Sequence, residues 1–264
     1  MKSILFFITA YFFIIQPATS QQGIVRYGHI ESLGKGGPVG LDFNAFLLFD
    51  KNQTYYVTAK DSLENSSNLE GQKLEKKNNS ENKEVYLGKH TLAKGKQVYF
   101  DRKKDSLWWN VKYGSIIYGK EDRPAINWKL QNDTKKIGNI ICKKATAEFR
   151  GRNYTVWYTE KIPLPYGPWK FQGLPGLVLE AYDTNKELYI YFKSINYPLD
   201  KKQPVPKIIN PNGNDDWVSI PEYKKLLEKF VDKGKTKALL LSKKLGDGIN
   251  VKAGEMDELC LEIF

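Results

Sequence analysis

The chain is poor in the residues that most enzyme signatures need. It has two histidines, His29 and His90, two cysteines, Cys142 and Cys260, and two methionines in 264 residues. Neither histidine has a partner at HExxH or HxH spacing, so no His-based zinc site and no Ser-His-Asp triad can be written from the sequence. Two cysteines cannot form a four-ligand zinc centre of the usual kind. There is no CxxC, no Walker loop and no GxSxG elbow. No cofactor or metal is therefore expected. Beyond the N-terminus there is also no apolar run long enough for a membrane helix, which needs about 20 residues.

The one strong apolar run is at the start, MKSILFFITAYFFIIQPATSQQ. Lys2 supplies a short basic region, the run 4–15 is apolar but for Thr9, and Ala18 and Ser20 occupy the small-residue positions of a cleavage site. This reads as a signal peptide over residues 1–20, cut after Ser20. The expected location is the periplasm or the extracellular space, with residues 21–264 as a single β-rich domain long enough to bury its own core. An exported chain is allowed a disulfide. A Cys142–Cys260 bridge and two buried free thiols both fit the sequence.

Formal charge is +11. Lysine is scattered among Glu and Asp, without Arg-rich blocks, which argues against nucleic acid as a partner. It fits a solvated lysine-rich surface, or one that faces anionic lipid or acidic glycan.

Short β-prone segments separated by Gly, Pro, Asn and Asp turns recur at 23–30, 41–49, 53–59, 85–87, 97–101, 106–112, 115–118 and 127–130. In the adjacent pair Trp108-Trp109, one ring must face in and the other out. The span 60–84 is almost free of large apolar side chains and reads as a mobile polar loop. From Ile137 onward the pattern is a meander: a long β-prone segment to Arg150, a Gly151-Arg152-Asn153 turn, a return strand, and a further pair of strands at 177–183 and 187–195. One helix is expected over 219–234. Ser219 and Glu222 have capping-box spacing and Tyr223, Leu226, Leu227, Phe230 and Val231 form one apolar face, with Gly234 as the stop. Residues 235–245 fit a second, weaker helix or a strand. The expected fold is mainly β: a curved antiparallel sheet, a half-barrel or bowl, with one or two packed helices. A membrane barrel does not fit, since Glu262, Cys260 and Glu258 alternate back from Phe264 where an apolar lipid-facing band is required.

The densest sequence is the corner GPWKFQGLPGLVLE, 167–180. Leu174-Pro175-Gly176-Leu177 has Pro and Gly at the central positions of a type II turn. Arg150, Arg152, Trp157, Tyr158, Trp169 and Lys170 crowd the adjoining hairpin and its exit, and arginine or lysine on aromatic rings is a ligand platform. The binding candidates are Arg150, Arg152, Trp157, Trp169 and Lys170. No catalytic residue stands out: Glu180 and Asp183, three apart, fall on opposite faces of a strand.

The hexapeptide Gly173-Leu174-Pro175-Gly176-Leu177-Val178 and its approach, KKIGNIICKKATAEFRGRNYTVWYTEKIPLPYGPWKFQ, resemble the GLPGLI family of exported proteins of Bacteroidota-type bacteria, with Val in place of the final Ile. The resemblance is strong over 135–195 and looser elsewhere. It implies an envelope location and a β-rich domain, and carries no catalytic residues to transfer. The expected function is a non-enzymatic binding or accessory module of the bacterial envelope, with an aromatic and basic concave face that takes a lipid, peptide or glycan or docks an envelope protein. The alternative is a carboxylate-dependent hydrolase of envelope glycan or peptide.

Overall fold

The computed structural model describes residues 21–64, 91–213, 215–245 and 251–264. The expected signal peptide, 1–20, the strand expected at 85–87 and residues 65–84 of the expected polar loop lie outside the described residues.

Eleven strands form one sheet in which every neighbouring pair is antiparallel. They are β1 Gly23–Glu31, β2 Asp42–Phe49, β3 Gln53–Thr58, β4 Lys96–Asp101, β5 Ser106–Tyr113 and β6 Ser115–Asp122, then β7 Lys129–Ile137, β8 Ile140–Phe149, β9 Arg152–Thr159, β10 Leu177–Asp183 and β11 Leu188–Asn196. The order across the sheet is β6-β5-β4-β3-β2-β1-β11-β10-β9-β8-β7. The first six strands are one meander and the last five another, zipped together where β1 pairs with β11, Ile24 opposite Asn196.

This order forces curvature. β6 and β7 are the two edges of the sheet, yet only residues 123–128 join them. Eleven flat strands would hold the edges about 48 Å apart, whereas that link reaches about 25 Å fully extended. The sheet therefore curls into an open bowl, as expected, without closing.

The concave face carries the main core, with Val25, Tyr27, Leu47, Tyr56, Val156 and Ile190 among its buried members. On the convex side Tyr55, Val57 and Tyr99 pack with Ile208, Val205 and Trp217, so the irregular segment after β11 covers part of that face. Trp108 and Trp109 split as the pleat requires. Trp109 packs inward against Tyr223, with ring centroids 4.5 Å apart. Trp108 turns outward against Tyr99 at 5.5 Å, beneath Lys104 and Lys120.

Helix α1 runs Ile220–Leu245 without a break and buries Tyr223, Leu227, Val231 and Ala238. It lies against β5 and β6. Ser219 donates backbone N–H and hydroxyl to Glu222 Oε2, at 2.9 and 2.7 Å, which starts the helix. Gly234 does not end it: a mid-helix glycine costs about 1 kcal/mol relative to alanine, and the strong helix formers that follow carry the helix on. Leu226, expected on the buried face, is exposed. A single turn, α2 Met256–Leu259, precedes the C-terminal residues.

Several strand boundaries also differ from expectation: β6, expected to stop at 118, runs on to Asp122, and the largest changes are at the β7–β8 turn. β7 extends to Ile137 because it is an edge strand with both faces wet, and so shows no hydrophobic alternation. Gly138, at φ +56°, makes the turn that starts β8 at Ile140.

The 167–180 corner is fixed by a close approach, not by a type II turn. That turn needs positive φ at its third residue, Gly176, but in this segment positive φ falls on Trp169 (53°) and Gly173 (94°). At Gly176 a Cβ would lie 2.2 Å from the Thr159 carbonyl oxygen, so the chain can pass the end of β9 only as glycine. Leu177 N–H and Val178 N–H donate to the carbonyls of Ile162 and Tyr166, at 3.1 and 2.8 Å, locking the entry to β10. Gly176→Ala should lower the unfolding midpoint by about 1–3 kcal/mol of stability. Gly37→Ala, where a Cβ would meet nothing within 4 Å, should leave the thermal melt unchanged. Equal melts for the two variants would contradict this account.

Candidate functional site

The site is built on the concave face, where alternation sends every second residue of β1, β3, β4 and β5 inward. In β1 these are His29 and Glu31. His29 Nδ1 is 2.6 Å from the Tyr56 hydroxyl of β3, and Nε2 is 2.9 Å from Glu31 Oε1. Lys96 of β4 donates to Glu31 Oε2 at 2.5 Å. Burial pushes the Glu31 carboxyl up, but Lys96 and His29 outweigh it and hold Glu31 well below the usual carboxylate range. Burial, reinforced by Tyr27 and the Glu31 carboxylate, pushes the Tyr56 hydroxyl well above its ordinary value.

A second network closes the opposite wall. The corner at Trp169 drives Lys170 into the core, 3% exposed, with its ammonium 2.6 Å from Glu121 Oε1 of β6 and 2.5 Å from Glu262 Oε1 near the C-terminus. The same ammonium sits 4.4 Å from the centre of the Trp109 ring. Trp109 in turn lies flat on Gly119 of β6, where a Cβ would come within 2.2 Å of the indole. Arg150, in the β8–β9 turn, pairs with Glu121 and lies 4.6 Å above the Phe264 ring. The result is an alternating buried chain, Arg150–Glu121–Lys170–Glu262, tying four distant segments together.

Between the two walls is a cavity of about 290 Å³. Its lining includes His29, Glu31, Lys96, Trp109, Lys170 and Glu262, with Tyr223 and Phe230 of α1 over it.

The binding candidates from the sequence separate into three places. Trp169 and Lys170 line the cavity, and Arg150 supports Lys170 through Glu121. Arg152 is a buried clamp: its guanidinium reaches Asp183 and Glu187 at 3.2 and 3.4 Å and donates to the carbonyls of Asp257, Cys260 and Leu261, holding the C-terminal residues down. Trp157 is on the other face of β9, under Lys135 at 4.6 Å and beside the Tyr182 hydroxyl at 3.4 Å. The parity of β9 explains the split, because Tyr154 points inward to Trp169 and Phe171 and Trp157, three residues on, points away. Glu180 and Asp183 diverge as expected, to Lys135 and Arg152.

His29, Glu31, Tyr56 and Lys96 were not candidates from the sequence. The available signal was the two-residue spacing of His29 and Glu31 on one strand. Their partners come from strands that only the sheet order brings close. Cys142 and Cys260 are both free and buried, and burial raises each thiol to about 11, so neither is an activated nucleophile. Among the described residues no group of His, Cys, Asp and Glu could hold a metal ion, and no helix is long and apolar enough to cross a membrane.

Residues 148–180, from the end of β8 through the corner, match a family described as "Protein of unknown function (Porph_ging)". No curated protein matches the sequence. Two solved structures are similar over 80% of this chain: "Structure of PNGF-II in P21 space group", with TM-score 0.47 and 16% identity, and "Structure of PNGF-II in C2 space group", with TM-score 0.45 and 14% identity. The alignments span only 34% and 33% of those chains.

Two outcomes test the networks. Lys170→Met leaves Glu262 buried without its cation and should cost about 3 kcal/mol or more in urea unfolding. Lys143→Met, which removes the exposed Lys143–Glu160 pair, should not move the midpoint. Glu31 has a depressed folded-state pKa, so its stabilising effect is present above the unfolded value, about 4.3, and fades as pH falls below it. The gap in thermal midpoint between the wild type and Glu31→Gln, followed by calorimetry, should therefore narrow below about pH 5. A gap independent of pH would remove the ion-pair account.

Proposed function

We propose that the protein is a non-enzymatic binding module of the bacterial envelope, exported through residues 1–20, that takes a ligand in the concave-face cavity. The carrying observation is the cavity itself: about 290 Å³, walled by aromatic rings and by charged side chains already held in place by protein partners. Such a site is preformed, which lowers the ordering cost of binding. The GLPGLI assignment is part of this reading. It rests on the motif 173–178 and the residues that lead into it.

The hydrolase reading draws on one observation, that Glu31 and Glu262 line the same cavity. Glu31 is held ionised by Lys96 and His29, so it has no proton to give near neutral pH. A glycoside hydrolase of the usual kind pairs one ionised carboxylate with one protonated general acid; Glu31 fits only the first role, and Glu262, the other carboxyl of the cavity, is engaged 2.5 Å from the Lys170 ammonium. Binding is the better-supported use.

Native mass spectrometry of the mature protein, purified gently from its own envelope, tests this. A bound mass of a few hundred daltons is expected, on the order of what such a cavity holds. It should be reduced in Trp169→Ala, inside the cavity, and retained in Trp157→Ala, on the opposite face. A bare chain in the wild type, or equal retention in both variants, would sink the proposal. Progressive loss of the bound mass with smaller products in its place would favour the hydrolase.

A further inference from the structure

We infer that the outward side of helix α1, with its last two turns, is a docking surface for an anionic lipid bilayer. This lies outside the cavity and does not depend on what the cavity holds.

The first argument is what α1 leaves uncovered. Its buried side chains, Tyr223, Leu227, Val231 and Ala238, follow one helical face and stop at Ala238. Beyond that point Leu239, Leu240, Leu241 and Leu245 are 57%, 61%, 40% and 54% exposed. Single exposed leucines are ordinary on a protein surface. Here three in succession, each turned about 100° from the last, point to different sides of the helix. A flat partner surface cannot cover all three, whereas a medium that surrounds the helix end can.

The second argument is charge. Helix α1 carries eight lysines and three acids, Glu222, Glu228 and Asp232, and from Lys233 to its end it has five lysines and no acid. Lys225, Lys229, Lys233 and Lys237 follow one another at four-residue steps, so like charges stack on one side, an arrangement that an isolated helix disfavours. Lys229, Lys233, Lys237 and Leu240 border one shallow, open groove, where the acid is Asp232. Lys235 pairs with Glu255 at 2.8 Å. Lys229, Lys233, Lys237, Lys243 and Lys244 are exposed and make no ion pair among the described residues.

The third argument is which occupant uses both sets of side chains. A linear polyanion such as an acidic polysaccharide takes the lysines and leaves the leucines wet. A second copy of this chain sets lysine against lysine. An uncharged protein surface covers the leucines but strips water from ammonium groups without a partner, which is unfavourable. An anionic bilayer satisfies both, because leucines enter the acyl boundary while lysine stems lie along it and carry their ammonium groups to the headgroup phosphates. Helix α1 then lies on the bilayer, since among the described residues no helix is long and apolar enough to cross one.

The experiment is co-sedimentation of the mature protein with vesicles of phosphatidylcholine alone and of phosphatidylcholine mixed with phosphatidylglycerol, at physiological salt, where charge acts over about 8 Å. The wild type should bind the mixed vesicles and not the neutral ones. Lys229→Gln, Lys233→Gln and Lys237→Gln together should weaken binding about a hundredfold, and Leu239→Ser with Leu240→Ser about tenfold or more. A control, Lys201→Gln with Lys202→Gln and Lys207→Gln, removes as much charge from the exposed segment after β11 and should leave binding nearly unchanged. Thermal melts check folding; if either α1 variant fails to fold, the single changes Lys237→Gln and Leu240→Ser replace it, each expected to weaken binding severalfold. Absence of any preference for the anionic vesicles, or an equal loss in the control, overturns the inference. So does unchanged binding in the leucine variant, which marks a general polyanion site. Self-association of the wild type by analytical ultracentrifugation, abolished in the leucine variant and without vesicle binding, assigns the leucines to a second copy and overturns it as well.

Discussion

The ammonium of Lys170, enclosed between Glu121 and Glu262, is the interaction on which the rest of the structure leans. It sits on the corner that leads into β10, it reaches the edge strand β6, and it holds the last residues of the chain. A buried ion pair contributes little net stability over a well-packed apolar substitute, because desolvation offsets attraction. Its effect is selective. Any arrangement that separates these segments leaves a charge in the core without its partner, so wrong assemblies are penalised far more than the right one is favoured. The strained backbone of Trp169, at φ 53°, is tolerable for the same reason: packing against Phe149, Tyr154 and Phe171 holds the ring from three sides.

The bowl is thus organised as two walls that share a floor. One wall belongs to the first meander, where His29, Tyr56, Glu31 and Lys96 form a linked polar row. The other joins Lys170 and the chain terminus to Trp109 of β5 and Glu121 of β6, and Arg152 secures it by gripping three carbonyls of residues 257–261. Helix α1 spans the gap from above through Tyr223 and Phe230. Every element that borders the cavity is tied to at least one other by a charge or a ring contact, which is the structural content of a preformed site.

The fold class was legible because its signals are local. Turn residues and two-residue alternation mark strands such as 53–59 and 177–183 without reference to their neighbours, and Trp108-Trp109 declared its split by parity. β7 was harder, since an edge strand wet on both faces has no alternation to read. The site was legible only in part, for the opposite reason. Lys170 and Trp169 drew attention by composition, but their partners Glu121 and Glu262 are far away in sequence and look like ordinary surface acids. Trp157 was grouped with Trp169 by proximity in sequence, although strand parity places the two on opposite faces. Gly176 was noticed for the wrong property: its torsions are ordinary, and the carbonyl of Thr159 is what forbids a side chain.

The pairing of β1 with β11 has a consequence for how the chain is made. Each meander can form from contacts close in sequence, but the seam between them joins residues near 24 to residues near 196. Pairings of such long range close late, because the loop entropy is spent before the contact rewards it. During synthesis β1 is the first strand to emerge and the last to gain its second neighbour, so its open edge must stay unpaired until almost the whole sheet exists. The first meander grows outward from β1 to the edge strand β6, the second inward from the edge strand β7 to β11, and the bowl is completed at the β1–β11 seam.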